Sequence, residues 1–85
     1  MTITVLYFAS LRDAVGPGSE QVEAPPEVAT VAALIDHLKT RSPRHAEAFA
    51  DLSRLRVAVN QDYAAADTPV KPGDEVAFFP PVTGG

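Results

Sequence analysis

Two hydrophobic periods divide this chain. An alternation of period two marks its beginning, middle and end, and one stretch of period 3.6 lies between. Thr2 to Ala9 reads as a strand, dense in Ile, Val, Leu, Tyr and Phe with no breaker. Alternation places Ile3, Val5 and Tyr7 on one face and Leu6 and Phe8 on the other. Both faces are apolar, which suits a central strand or one with a second buried or binding face. Ser10 can cap a short helical turn over Leu11–Val15, which Gly16-Pro17-Gly18 ends. Ser19 to Ala24 is a weaker strand with Val22 as its apolar member. Its Glu20 and Glu23 suit an exposed edge, where charge discourages unwanted pairing.

Pro25-Pro26 separates this unit from the main helix, predicted over 30–41. Thr30 is a good N-cap, and Val31, Leu34, Ile35 and Leu38 follow at the spacing of one apolar helix face. Lys39 and Arg41 fall in the last turn, where cations complement the helix dipole, and Ser42-Pro43 marks the stop. Residues 44–53 give a short second helix or a turn, with Ala46, Phe49 and Ala50 as its stripe and Phe49 directed to the core. Arg56–Asn60 is a strand with Val57 and Val59 on one face. Asn60-Gln61-Asp62 is a turn, Tyr63–Ala65 a brief edge strand, and Asp67-Thr68-Pro69 another turn. Lys71-Pro72-Gly73-Asp74 has Pro second and Gly third, as a tight turn requires, and leads into a last strand over Glu75–Phe79.

The order β-β-α-β-(β)-β predicts an α+β fold: a mixed sheet of four to five strands covered on one face by one main helix. A right-handed crossover through that helix lets the first and last strands lie side by side. The uncovered face then carries Phe8 and Phe79, with Tyr63 at its rim. The opposite register, with these rings in the core, is equally compatible with strands that are apolar on both faces.

Beyond Phe79 the pattern changes. Pro80 and Pro81 lack the backbone N–H that a ladder needs, and they favour an extended, stiff chain. Val82 and Thr83 follow, then Gly84 and Gly85, which have no Cβ. The expected division is a compact domain over 1–79 and a flexible extended tail over 80–85. Such a tail presents a slim tip with a free carboxylate. With no side chain on either glycine, the reacting group of a functional tip is the main-chain carboxyl of Gly85. Fraying is the ordinary fate of a terminus, but these glycines follow a strand and a proline pair directly, without the Gly/Ser run of a linker.

Composition narrows the options. Eighty-five residues make one small domain, which buries roughly 60–65% of its unfolded surface. At 46% hydrophobic residues the chain has the apolar material to fold. With no cysteine, disulfides, thiolate metal sites and a cysteine nucleophile are excluded. No apolar run is long enough for a membrane span, and the start lacks the basic flank of a signal peptide, so a cytoplasmic address is expected. A net charge of −4 with dispersed basic residues argues against nucleic acid and suits a basic protein partner.

Candidate chemistry within the domain is sparse. Gly16-Pro17-Gly18 lacks the Lys-Ser/Thr and the helix of a phosphate loop. His37 and His45 belong to no recognisable metal-ligand set, and His37 reads as a solvent-facing helix residue. Asp62, Asp67, Asp74 and Glu75 sit in turns, where carboxylates cap backbone N–H groups. No nucleophile–base constellation is visible, so an independent enzyme is not expected.

The element order and the Gly-Gly end resemble the ubiquitin-like β-grasp fold. Val5-Leu6-Tyr7-Phe8-Ala9 with Leu11-Arg12 and Gly16, Val59-Asn60-Gln61, and the run Gly73–Gly85 together resemble the small subunits of molybdopterin synthase, the MoaD sulfur carriers. The likeness spans essentially the whole chain. It implies that Gly85 is adenylated with ATP by an E1-like, MoeB-like partner. A sulfurtransferase then supplies sulfur, leaving a thiocarboxylate on Gly85. The charged tail, Pro80-Pro81-Val82-Thr83-Gly84-Gly85, enters a MoaE-like large subunit and donates sulfur to the pterin that becomes molybdopterin. No resident cofactor is implied; the acyl-adenylate and the thiocarboxylate are transient modifications. The same resemblance places Phe8, Tyr63 and Phe79 against the partner enzymes, with Arg12 as a polar contact beside them. It departs at Tyr63, where an aliphatic residue is usual. A thiamine-pathway sulfur carrier and a ubiquitin-like protein modifier share the fold and the Gly-Gly end, and remain as alternatives.

Overall fold

The computed structural model describes residues 1–53 and 55–81. Its elements in chain order are β1 (Thr2–Tyr7), α1 (Ala9–Val15), β2 (Ser19–Glu23), α2 (Val31–Lys39), α3 (Pro43–Ala48), β3 (Arg56–Val59), β4 (Asp62–Tyr63) and β5 (Glu75–Phe79). The five strands form one mixed sheet in the order β2-β1-β5-β3-β4. β1 and β5 run parallel at its centre, with Thr4 opposite Glu75 and Tyr7 opposite Phe78, and every other pairing is antiparallel. This is the ubiquitin-like β-grasp arrangement. The sheet and the α+β class agree with the sequence reading.

The core lies between the sheet and the helices. Ile3, Val5 and Tyr7 of β1, Val22, Val57, Val76 and Phe78 point toward Val31, Leu34, Ile35 and Leu38 of α2 and toward Phe49. The Thr30 hydroxyl accepts from Ala33 N–H at 3.2 Å, so α2 starts where its cap predicts. In the Lys71–Asp74 turn Gly73 takes φ 86°, and Asp74 N–H donates to Lys71 C=O at 3.1 Å.

Several local expectations are corrected. β1 stops at Tyr7, and α1 begins at Ala9 with Phe8 as its N-cap and no side-chain cap, so Ser10 lies inside the helix. Ala9 takes φ 52°, a left-handed turn that swings the chain out of the strand directly after Phe8. The helical cover has three segments, with α2 the longest as the main helix and α1 and α3 short, as the sequence reading expects. α2 ends at Lys39 with Thr40 as its C-cap, so Arg41 falls beyond it, and Ser42-Pro43 opens α3, Ser42 as N-cap and Pro43 in the first turn. On α3 the buried members are His45 and the following Phe49; Ala50 is exposed.

Glu20 is the clearest correction. Its expected place was an exposed edge, yet it stands on the helix side of β2, two residues before the buried Val22. One oxygen, Oε2, accepts from Tyr7 O–H at 2.7 Å and lies 2.8 Å from His45 Nε2. Arg41 approaches the other oxygen at 3.6 Å. The Ser42 hydroxyl lies 2.7 Å from His45 Nδ1 and also accepts His45 N–H at 3.2 Å. Serine, histidine and carboxylate thus form a hydrogen-bonded chain, but Ser42 Oγ is committed to capping α3 and lines neither cavity described below. The cluster works as a buried joint that ties the edge strand and β1 to α3. The opposite side of β2 has a comparable tie, with His37 Nε2 3.2 Å from Glu23 C=O.

Burial alone would raise the Glu20 pKa, but hydrogen bonds from His45 and Tyr7, and the charges of His45 and Arg41, outweigh it and hold the carboxyl below its ordinary value. The Tyr7 hydroxyl is pushed upward, first by burial and then by its bond to Glu20. A depressed carboxyl contributes stability above its unfolded pKa and loses it as pH falls through the folded value. Acidification below about pH 4.3, the ordinary glutamate value, therefore weakens this joint. Glu20→Gln is expected to cost about 1.5–3 kcal/mol at neutral pH, from loss of charged hydrogen bonds. It should also flatten the acid limb of stability, as measured by urea unfolding at a series of pH values.

Candidate functional site

Side chains on the far side of the sheet have no helix above them. Thr2, Thr4 and Leu6 of β1 point there, with Ser19, Gln21 and Glu23 opposite them on β2. Glu75, Ala77 and Phe79 of β5 and Arg56 and Ala58 of β3 complete the face, and Tyr63 of β4 pairs with Ala58. The face is divided along the strands. At the end where β1 and β5 begin it is polar: Gln21 Nε2 donates to Thr4 Oγ1 at 2.9 Å, and Thr4 pairs with Glu75. At the end where they finish it is apolar. Leu6, Ala77, Ala58 and Tyr63 lie opposite one another across β1, β5, β3 and β4, and Phe79 lies opposite Arg56.

The rings predicted for an outer patch stand at this apolar end. Phe8 is 49% exposed and Tyr63 81%, values far from those of a core ring. Phe79 is half-buried, and its ring packs against Tyr63 with centroids 6.1 Å apart. Phe8 N–H donates to Phe78 C=O at 3.1 Å, so the bonding to β5 runs one residue past the end of β1. The register left open by the alternation is thereby settled: Tyr7 and Phe78 go to the core, Phe8 and Phe79 to the bare side.

Arg12 lies one helical turn beyond Phe8, its N–H 3.4 Å from Phe8 C=O. Its exposed side chain lies flat on the Gly16-Pro17-Gly18 loop, so that a Cβ at Gly18 would stand 3.3 Å from Arg12 Nε. Arg56, beside Phe79 on the same face, was not among the candidates. Its strand position was readable, but its neighbour across the sheet needed the β3–β5 register.

β5 ends at Phe79, and Pro80 follows outside the strand. Pro80 is half-buried against a small cavity of about 190 Å³ that Ser10, Leu11, Ala48, Asp51 and Leu55 also line. The root of the C-terminal segment thus emerges beside the apolar half of the bare face. Val82, Thr83, Gly84 and Gly85, the remaining site candidates, lie outside the described residues. Among the described residues, no helix is long and apolar enough to cross a membrane.

Comparison with known proteins gives this geometry a family. The model of the ThiS family matches residues 5–85. The molybdopterin synthase sulfur carrier subunit of Escherichia coli is 48% identical over 98% of this chain and 99% of its own. That of Haemophilus influenzae is 41% identical over the same shares of the two chains. The crystal structure of SAMP1 from Haloferax volcanii covers 100% of both chains with a TM-score of 0.77 at 27% identity. The chain belongs to the ThiS family, and within it to the molybdopterin synthase sulfur carrier subunits.

Proposed function

We propose that the main-chain carboxyl of Gly85 is the reacting group of this chain and that the bare sheet face docks it onto the enzymes that charge and discharge it. A carboxylate oxygen is a poor leaving group. An E1-like enzyme would transfer AMP from ATP onto the Gly85 carboxylate, releasing pyrophosphate and making the carbonyl electrophilic. The persulfide of a sulfurtransferase would displace AMP to give an acyl disulfide, and a second thiol would attack the donor's sulfur, forming a disulfide and releasing the Gly85 thiocarboxylate, a stronger nucleophile than the carboxylate at neutral pH. That sulfur would pass to a pterin held by the large synthase subunit. With no cysteine in the chain, no side-chain thiol competes for the sulfur.

The observation that carries this reading is the division of the bare face. Its apolar half lies at the end of the sheet where Phe79 leads through Pro80 toward the C-terminus. A partner that covers Phe8, Tyr63 and Phe79 would therefore receive the tail beside its own surface. Exposed aromatics next to arginine have the composition of an interface centre rather than of ordinary surface. The close relatives' description as sulfur carrier subunits favours this chemistry over conjugation to lysine.

Two outcomes are expected. Deleting Gly85 should abolish sulfur transfer in an assay reconstituted with the activating enzyme, ATP, a sulfur donor and the large subunit, while thermal unfolding stays unchanged; transfer by the shortened chain would refute the assignment. Phe79→Arg should weaken binding to the large subunit by about 30-fold or more, as loss of an aromatic anchor does. Calorimetric titration measures this directly.

A further inference from the structure

The bare face does not end at β4. Around that edge lies a groove of about 270 Å³ between α2 and the β3–β4 hairpin. Val31 and Ile35 of α2, Leu52 and Leu55, Val57 of β3 and Ala64–Ala66 line it, together with Arg56 and Tyr63. Resting on the docking reading above, we infer that this groove receives one apolar side chain, of Leu or Phe size with a carboxylate beside it, from the large synthase subunit that covers the sheet face.

Size selects the occupant. At about 270 Å³ the groove has room for one large apolar side chain. Charge selects its neighbour. Among the described residues lining the groove, Arg56 is the one charged side chain. Its Nη1 donates to Leu55 C=O at 3.2 Å, and no carboxylate among the described residues pairs with it. On a chain of net charge −4, an unpaired guanidinium beside an apolar hollow favours an anion next to an apolar anchor.

The hollow is also built in advance. Ala66 C=O accepts from Ala32 N–H at 2.9 Å, Thr68 C=O from Val31 N–H at 3.0 Å, and Val57 C=O from Ala64 N–H at 3.0 Å. These bonds pin the segment 64–68 to α2 and β3, so an incoming side chain need not order it. Leu52, 46% exposed, stands at the mouth as an apolar contact without cover. Tyr63 belongs to both surfaces: its ring meets Phe79 on the face and lines the groove. A partner lying on the face therefore reaches the groove without a gap.

The test uses the full-length chain and the large synthase subunit of the same organism. Ala65, an exposed residue that lines the groove beyond the end of β4, is replaced by Glu. Ala65→Glu is expected to raise Kd about tenfold or more with its melting temperature unchanged, because it puts bulk and a negative charge where the anchor and its carboxylate would sit. Arg56→Gln should raise Kd several-fold and reduce its salt dependence, with Arg56→Lys recovering most of the loss. Amide signals of Val31 and Ile35, which lie behind the sheet, should shift on titration. If the wild-type chain binds and Ala65→Glu binds within about twofold of it, the groove inference is overturned while the docking reading stands. If the wild-type chain does not bind, both fall.

Discussion

The parallel pairing of β1 with β5 is the constraint from which the rest of the molecule follows. Two strands of one sheet can pair in parallel only if the chain between them crosses over a face of that sheet. That crossover puts α2 and α3 on the Tyr7–Phe78 side and leaves the other side bare. It also makes both strands finish at the same end. Phe8 and Phe79 therefore become neighbours on the bare face, and Pro80 leaves the sheet beside them.

Each face of this central pair has its own chemistry. The inner face is aromatic and closed: Tyr7 stacks with Phe78 at 6.4 Å, and Phe49 meets Phe78 edge-on at 5.0 Å. Tyr7 brings a hydroxyl into that core, and its burial requires an acceptor, which Glu20 supplies from the edge strand. Glu20 in turn holds His45, so one phenol recruits a joint that anchors α3. The outer face carries Leu6, Ala58, Ala77 and Phe79 at one end and Thr4, Gln21 and Glu75 at the other, which confines its apolar surface to the half beside Pro80. The structural core and the bare apolar surface thus lie back to back on the same few residues of β1 and β5.

Much of this was legible in the order of residues, for identifiable reasons. Thr30, Val31, Leu34, Ile35 and Leu38 announced α2 because a cap and a 3.6-residue stripe are local signals. Lys71-Pro72-Gly73-Asp74 announced its turn because only a few residue types accept its dihedrals. Phe8, Tyr63 and Phe79 were found as a set, but the alternation could not say which side they faced, since Leu6 and Phe8 are as apolar as Val5 and Tyr7. The burial of Phe49, Val57 and Phe78 by the helices settled it. Glu20 was misplaced because a glutamate on an edge strand normally faces water, and its partners Tyr7 and His45 are 13 and 25 residues away. Ser42-Pro43 was read as a stop alone because a Ser-Pro pair that cannot continue one helix is equally the cap and first turn of the next. Arg56 and the alanines at 64–66 gave no signal of their own, since a groove belongs to the packing of α2 against β3 and β4.

The account depends on what is bonded to the carbonyl carbon of Gly85 in the working protein. Mass spectrometry of the C-terminal peptide, from protein purified from cells that make molybdopterin, reads this directly. The account predicts a fraction heavier than the free acid by the difference between one sulfur and one oxygen, and loss of that fraction when the activating enzyme is deleted. A C-terminal peptide found only as the free acid, in cells where the activating enzyme is present and the large subunit has been removed, would contradict it.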